Sequence, residues 1–181
     1  MQRTLPAAAI LIAIVAVSAC GSNPPQVADI LGRAEATDGP FRLEFVVPKS
    51  TWRADEQIVG QASLSFAGQG GIDLGGSSGG LIGFGVSEVG GTRHMDFGAD
   101  AACFSRRLEA GRPMVSGLMK SGGFSGDDPN AAFYRAFFAD KGYHLPAGTW
   151  EIAAVASFVE GRDCRGASHT ITARLRIRVE G

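Results

Sequence analysis

Two long runs near the C-terminal end alternate between apolar and polar residues. Trp150, Ile152, Ala154, Ala156 and Phe158 interleave with Glu151, Ala153, Val155 and Ser157. Ile171, Ala173, Leu175, Ile177 and Val179 interleave with Thr172, Arg174, Arg176 and Arg178. A period of two puts successive side chains on opposite faces of a strand, so each run offers one face to a core and keeps the other outside. Half-buried strands of this kind belong to antiparallel sheets, because the strands of a parallel sheet are covered on both sides and are apolar throughout.

The same texture recurs upstream. Phe41, Leu43, Phe45 and Val47 form one candidate strand before Pro48. Ile58, Gly60, Ala62, Leu64 and Phe66 form a second, Leu81 to Val89 a third, and Met114 to Met119 a fourth. Glycine is abundant, at 26 residues, and seven of them fall between Ala67 and Gly80. So dense a run predicts a mobile loop there. Residues Asp128 to Gly142 differ: Asp128 suits an N-cap, Pro129 a first helical position and Gly142 a stop, which predicts a helix. The fold class expected is all-β, an antiparallel sandwich of about seven strands with one short inserted helix.

Two short stretches sharpen that expectation. Trp52-Arg53-Ala54-Asp55-Glu56 followed by Ile58 is similar to the aromatic-x-Pro-Gly-Glu lead into the second strand of many extracellular Ig-like modules, with Ala54-Asp55 in place of Pro-Gly. Leu145-Pro146-Ala147-Gly148-Thr149-Trp150 resembles the Pro-Gly-aromatic lead into their penultimate strand. The resemblance implies an Ig-like β-sandwich over residues 40–181.

The N-terminal end carries an address. After Met1-Gln2-Arg3, an apolar run from Leu5 to Val17 ends in Val17-Ser18-Ala19-Cys20. The run is shorter than the ~20 residues a spanning helix needs and has the form of a secretory signal. It resembles bacterial lipoprotein precursors, whose lipobox is an aliphatic residue, two small residues and cysteine. The resemblance implies a signal peptide at residues 1–19, cleavage before Cys20 and a lipid on its sulfur. Two or three acyl chains make such anchoring durable. Residues 20–39 then form the lipidated N-terminus and a flexible tether, with Val27, Ile30, Leu31 and Ala34 at helical spacing. The expected location is the outer leaflet of the bacterial cell membrane, or the outer membrane where the cell has one.

With Cys20 assigned to lipid, Cys103 and Cys164 remain as a pair in an oxidising compartment, and a disulfide is expected. The chain has 17 basic and 18 acidic side chains, and the leader removes only Arg3. A mature chain so slightly acidic has no call for nucleic acid.

Candidate sites are few. Ser77 in Gly75-Gly76-Ser77-Ser78-Gly79 satisfies the G-x-S-x-G pattern, but hydrolases of that type need a strand-to-helix elbow on a parallel sheet. His94, His144 and His169 are far apart and lack ligand spacing, so no metal is expected. Asp73, Asp127, Asp128 and Asn130 form no complete calcium loop. Arg174, Arg176 and Arg178 read as a solvated sheet face balanced by acids such as Glu44, Glu151 and Glu180. Phe133, Tyr134, Phe137 and Phe138 cover about half the circumference of the expected helix or more, so part of the set packs on the sandwich and a ring left outside becomes a partner surface. The expected function is a lipid-anchored binding module of the cell envelope, with no cofactor and no evident catalysis. Its partner is an envelope protein or extracellular ligand. An envelope-polymer hydrolase with loop-assembled residues, or a structural accessory subunit, is the alternative.

Overall fold

In the computed structural model, which describes residues 32–100 and 102–181, the two alternating runs become the longest strands, β10 (Gly148–Glu160) and β11 (Ser168–Glu180). Before them come β1 (Gly32–Asp38), β2 (Phe41–Val47), β3 (Thr51–Arg53), β4 (Gln61–Phe66), β5 (Gly71–Gly76) and β6 (Ile82–Glu88). These are followed by β7 (His94–Met95), β8 (Phe104–Glu109), β9 (Met114–Gly117) and a single helix, α1 (Ala131–Ala139). One sheet has the order β1-β2-β4-β9. The other runs β3-β11-β10-β5-β8, with β6 also on β10 and β7 on β6. Every pairing is antiparallel except that of β3 with β11.

The inward faces close on one core. Phe41, Leu43, Phe45 and Leu64 from the first sheet are fully buried, as are Trp150, Ile152, Ala154 and Ala156 from the second. Phe41 meets Phe158 edge-on at 4.8 Å, and Phe45 lies 5.6 Å from Phe84. The fold is therefore an all-β antiparallel sandwich, as the alternation requires, with one helix and eleven strands, rather than about seven, among the described residues. No helix among the described residues is long and apolar enough to cross a membrane. The expected signal peptide, residues 1–19, and Cys20 lie outside the described residues.

Three local expectations are corrected. The tether does not extend to Gly39, because Gly32–Asp38 is β1 and pairs with β2 along its whole length. The glycine run is not a mobile loop throughout, since Gly71–Gly76 is β5, held between β10 and β8. Its glycines serve close approach: a Cβ on Gly75 would stand 2.1 Å from the Cys164 sulfur. The helix begins at Ala131, later than Asp128 and Pro129 suggest. Asn130 precedes it without a side-chain cap, and Asp128 Oδ1 instead accepts the Asn130 N–H at 2.7 Å, in the turn before the helix.

One half-buried histidine ties the two sheets together. His169 on β11 packs against Phe41 and Phe158, with Nδ1 2.7 Å from Asp38 and Nε2 3.1 Å from Glu160. Burial is the largest influence on its pKa and lowers it, but the two carboxylates together outweigh burial and the net shift is upward from 6.5. The stabilisation is therefore complete below pH 6.5 and is lost as the pH rises through the raised folded value. Between about pH 6 and 9 the melting temperature of the native chain should fall about 2 °C more than that of His169→Gln. Parallel curves would contradict the role given to His169.

Candidate binding cleft beside the helix

Helix α1 has few contacts of its own to hold it, and its position is fixed from outside. Tyr134, 2% exposed, donates its hydroxyl proton to the His94 carbonyl at 2.8 Å and accepts the His94 N–H at 3.2 Å, so it completes the outer edge of β7. Lys120 caps the other end by donating to the carbonyls of Phe137 and Asp140, where the partial negative charge of a helix terminus favours a cation. Ser121 bonds both the N–H and the carbonyl of Phe84, which fastens the segment before the helix to β6.

The aromatic set divides differently from the sequence expectation, because all four rings are engaged. Tyr134 and Phe137 are buried, and Phe133 and Phe138 are half-buried. Phe138 stacks on Phe124 at 6.0 Å, and Phe133 stacks on the buried Trp150 at 5.7 Å. No ring of the four projects free into solvent, so the expected surface of an outward aromatic is corrected. Phe133 and Phe137 instead reach the surface as walls of a cleft, while Tyr134 and Phe138 hold the helix.

That cleft has a volume of about 410 Å³ and lies between α1 and the 144–146 turn, with Ala54 and Arg93 completing it. Its apolar walls are Phe133, Ala136, Phe137, Leu145 and Pro146. Arg93 is seated over two rings, its guanidinium carbon 4.8 Å from the Trp150 ring and 5.0 Å from that of Phe133. It also forks onto both oxygens of Glu88, with Nε 2.8 Å from Oε2. The hydrogen bond from Arg93 outweighs burial and holds the Glu88 carboxyl below its usual range, so both groups stay charged. At the far end Asp140 accepts the Gly142 N–H at 2.9 Å and meets His144 Nδ1 at 2.6 Å. Those contacts, the Gly142 backbone first, lower the Asp140 pKa. The cleft thus presents aromatic and aliphatic walls between the Arg93–Glu88 ion pair and the hydrogen-bonded Asp140 and His144, a lining suited to an apolar group on a polar backbone.

The other predicted residues lie elsewhere. Cys103 and Cys164 form the expected disulfide, with Cα atoms 6.1 Å apart, joining the start of β8 to the loop after β10. A hollow of about 210 Å³ beside it contains Ser77 and Asp100. Ser77 follows β5 into a turn, not a helix, and its hydroxyl accepts the Gly79 N–H at 3.3 Å, while Ser78 bonds Asp100. Asp73 is held by Arg162 at 2.8 Å and by Arg107. Arg174 and Arg176 share Glu151, and Arg178 lies 3.6 Å from Glu180, whereas Glu44 pairs with Arg33. Among the described residues no group of three or more histidine, cysteine or acidic side chains is arranged to hold a metal ion.

Sequence reasoning missed Arg93, Asp140 and His144 as neighbours. Arg93 follows the Gly90-Gly91 turn and its partner Glu88 precedes it, so the ion pair is local, but the rings it covers come from 40 or more residues downstream. The one available signal is the Asp140-x-x-x-His144 spacing at the end of the helix. No known protein-family model, curated protein or solved structure matches the chain.

Proposed function

We propose that the chain is a lipid-anchored extracytoplasmic module of the bacterial cell envelope, held through Cys20, and that it acts by binding rather than by catalysis. The cleft beside α1 takes an apolar side chain from an envelope protein or other extracytoplasmic partner. The observation that supports the reading is the composition of the cleft, in which apolar walls are backed by the buried Trp150 and Tyr134 and flanked by the paired Arg93 and Glu88 and by the hydrogen-bonded Asp140 and His144. Pre-formed walls lose little conformational freedom on binding, which favours recognition of a side chain by shape. Arg93 is already paired with Glu88 and makes no demand for an ionic ligand. The lipobox supplies the address, and the disulfide suits an oxidising compartment.

The test is crosslinking capture from native envelopes with the full chain as bait, beside Ala136→Glu. Ala136 is exposed on α1 and lines the cleft, so the substitution fills the site at little cost to the fold. Recovery of a partner should fall about tenfold or more, a loss of at least ~1.4 kcal/mol of affinity, while the melting temperature stays within about 2 °C. Equal capture by both chains, or no partner with either, would contradict the proposal.

A further inference from the structure

We propose that the outer face of the β1-β2-β4-β9 sheet, at the end where the chain enters β1, rests on the bilayer surface; this builds on the anchoring of Cys20 proposed above. Five large apolar residues among the described ones are strongly exposed, and three of them, Val59, Val115 and Met119, lie on or beside this face at 48%, 51% and 52%. The pairing of Val46 with Gln61 and of Gln61 with Gly117 sets their register. The Leu118 N–H donates to the Gly60 carbonyl at 2.8 Å, which continues the register and places Val59 across from Met119. Since Val47, Ile58 and Ala62 are buried, the intervening Val46, Pro48 and Val59 face outward, around a shallow hollow of about 570 Å³. The neighbouring charges are satisfied: Glu44 lies 2.6 Å from Arg33, and Lys49 2.5 Å from Glu56.

The position of this patch selects its occupant. Gly32 pairs with Val47, one residue before Pro48, so the chain arrives from Cys20 at the apolar end of the sheet. Only the eleven residues 21–31 separate Cys20 from Gly32, at most about 40 Å of chain at full extension, which keeps that end near the headgroups. At such a distance the bilayer is present at a high effective concentration, and a patch too small to bind a free vesicle suffices. Apolar side chains without unpaired charge settle at the boundary of headgroups and acyl chains, about 5–10 Å deep, with little dependence on salt.

The full chain is produced in bacterial cells with a photoreactive benzoylphenylalanine in place of Val59 or Met119, and as a control in place of Ser65, which faces the same side at the far end of β4. Illumination should give phospholipid adducts at positions 59 and 119 in about tenfold higher yield than at 65. Adducts with another protein, adducts with this chain's own residues 21–31, or equal lipid yield at all three positions would overturn the proposal. Intact mass of the same samples reads the anchor separately. An acylated Cys20 without adducts at 59 and 119 sinks the patch alone, and a free Cys20 thiol with those adducts sinks the anchor alone.

Discussion

Tyr134→Ala is expected to lower the folding free energy by about 4 kcal/mol and Tyr134→Phe by about 1–2 kcal/mol. Two separate losses make up the larger figure. The ring packs in the core and touches Phe124 at 5.4 Å and Phe133 at 5.3 Å, so its removal leaves a cavity where the helix meets the sheet. The hydroxyl serves both polar groups of His94, and Phe keeps the ring but leaves a half-buried N–H and carbonyl without that partner. Urea denaturation of the two variants separates these effects, provided the slope with denaturant is unchanged. A cost for Tyr134→Phe below about 0.3 kcal/mol would mean that water replaces the hydroxyl and that the helix is held by packing alone. Since Phe133 and Phe137 ride on the same helix, Tyr134→Ala should also weaken the cleft. That is why Ala136→Glu, and not a core aromatic, is the substitution that tests binding.

Replacing Cys103 and Cys164 together by Ser should cost about 4 kcal/mol and about 10 °C in melting temperature. The bridge closes a loop across 61 positions of sequence, and most of the effect comes from the freedom that loop regains in the unfolded chain. Local structure is affected as well. The sulfurs lie over Gly75, and the bridge ties β8, the outermost strand of its sheet, to the loop after β10. Hydrogen exchange in the double variant should rise first in β8 and β5, ahead of β10 and β11. Equal melting temperatures with and without reductant would contradict the stabilising role of the bridge.

The long strands were legible because burial on one face leaves a period of two in the sequence, which 171–179 keeps without a break and 150–158 keeps on its inward face, although Ala153 and Val155 interrupt the polar face. The segments that were misread have physical reasons of their own. β5 is rich in glycine, which propensity assigns to a loop, but there the missing side chain admits the disulfide. Gly83 in β6 is a parallel case, since a Cβ would stand 2.0 Å from the Phe97 ring. β1 is an edge strand whose inward residues include only Ala34 and Ala36, too small to register as an apolar face. The start of α1 was misplaced because Asp128 and Pro129 favour a tight turn as readily as a first helical turn. Four aromatics at helical spacing were visible, but which of them reach the surface depends on Arg93, Trp150, Lys120 and Phe124. Those residues are brought to the helix by tertiary packing alone, and local patterns carry no trace of it.

The proposed lipid anchor at Cys20 underlies both the proposed binding role and the proposed contact of the sheet with the bilayer, and intact mass spectrometry of the full chain extracted from bacterial membranes tests it most directly. The expected species begins at Cys20, carries two or three acyl chains there, and contains the Cys103–Cys164 bridge. A chain that retains residues 1–19, or one recovered in the soluble fraction with Cys20 as a free thiol, would contradict it.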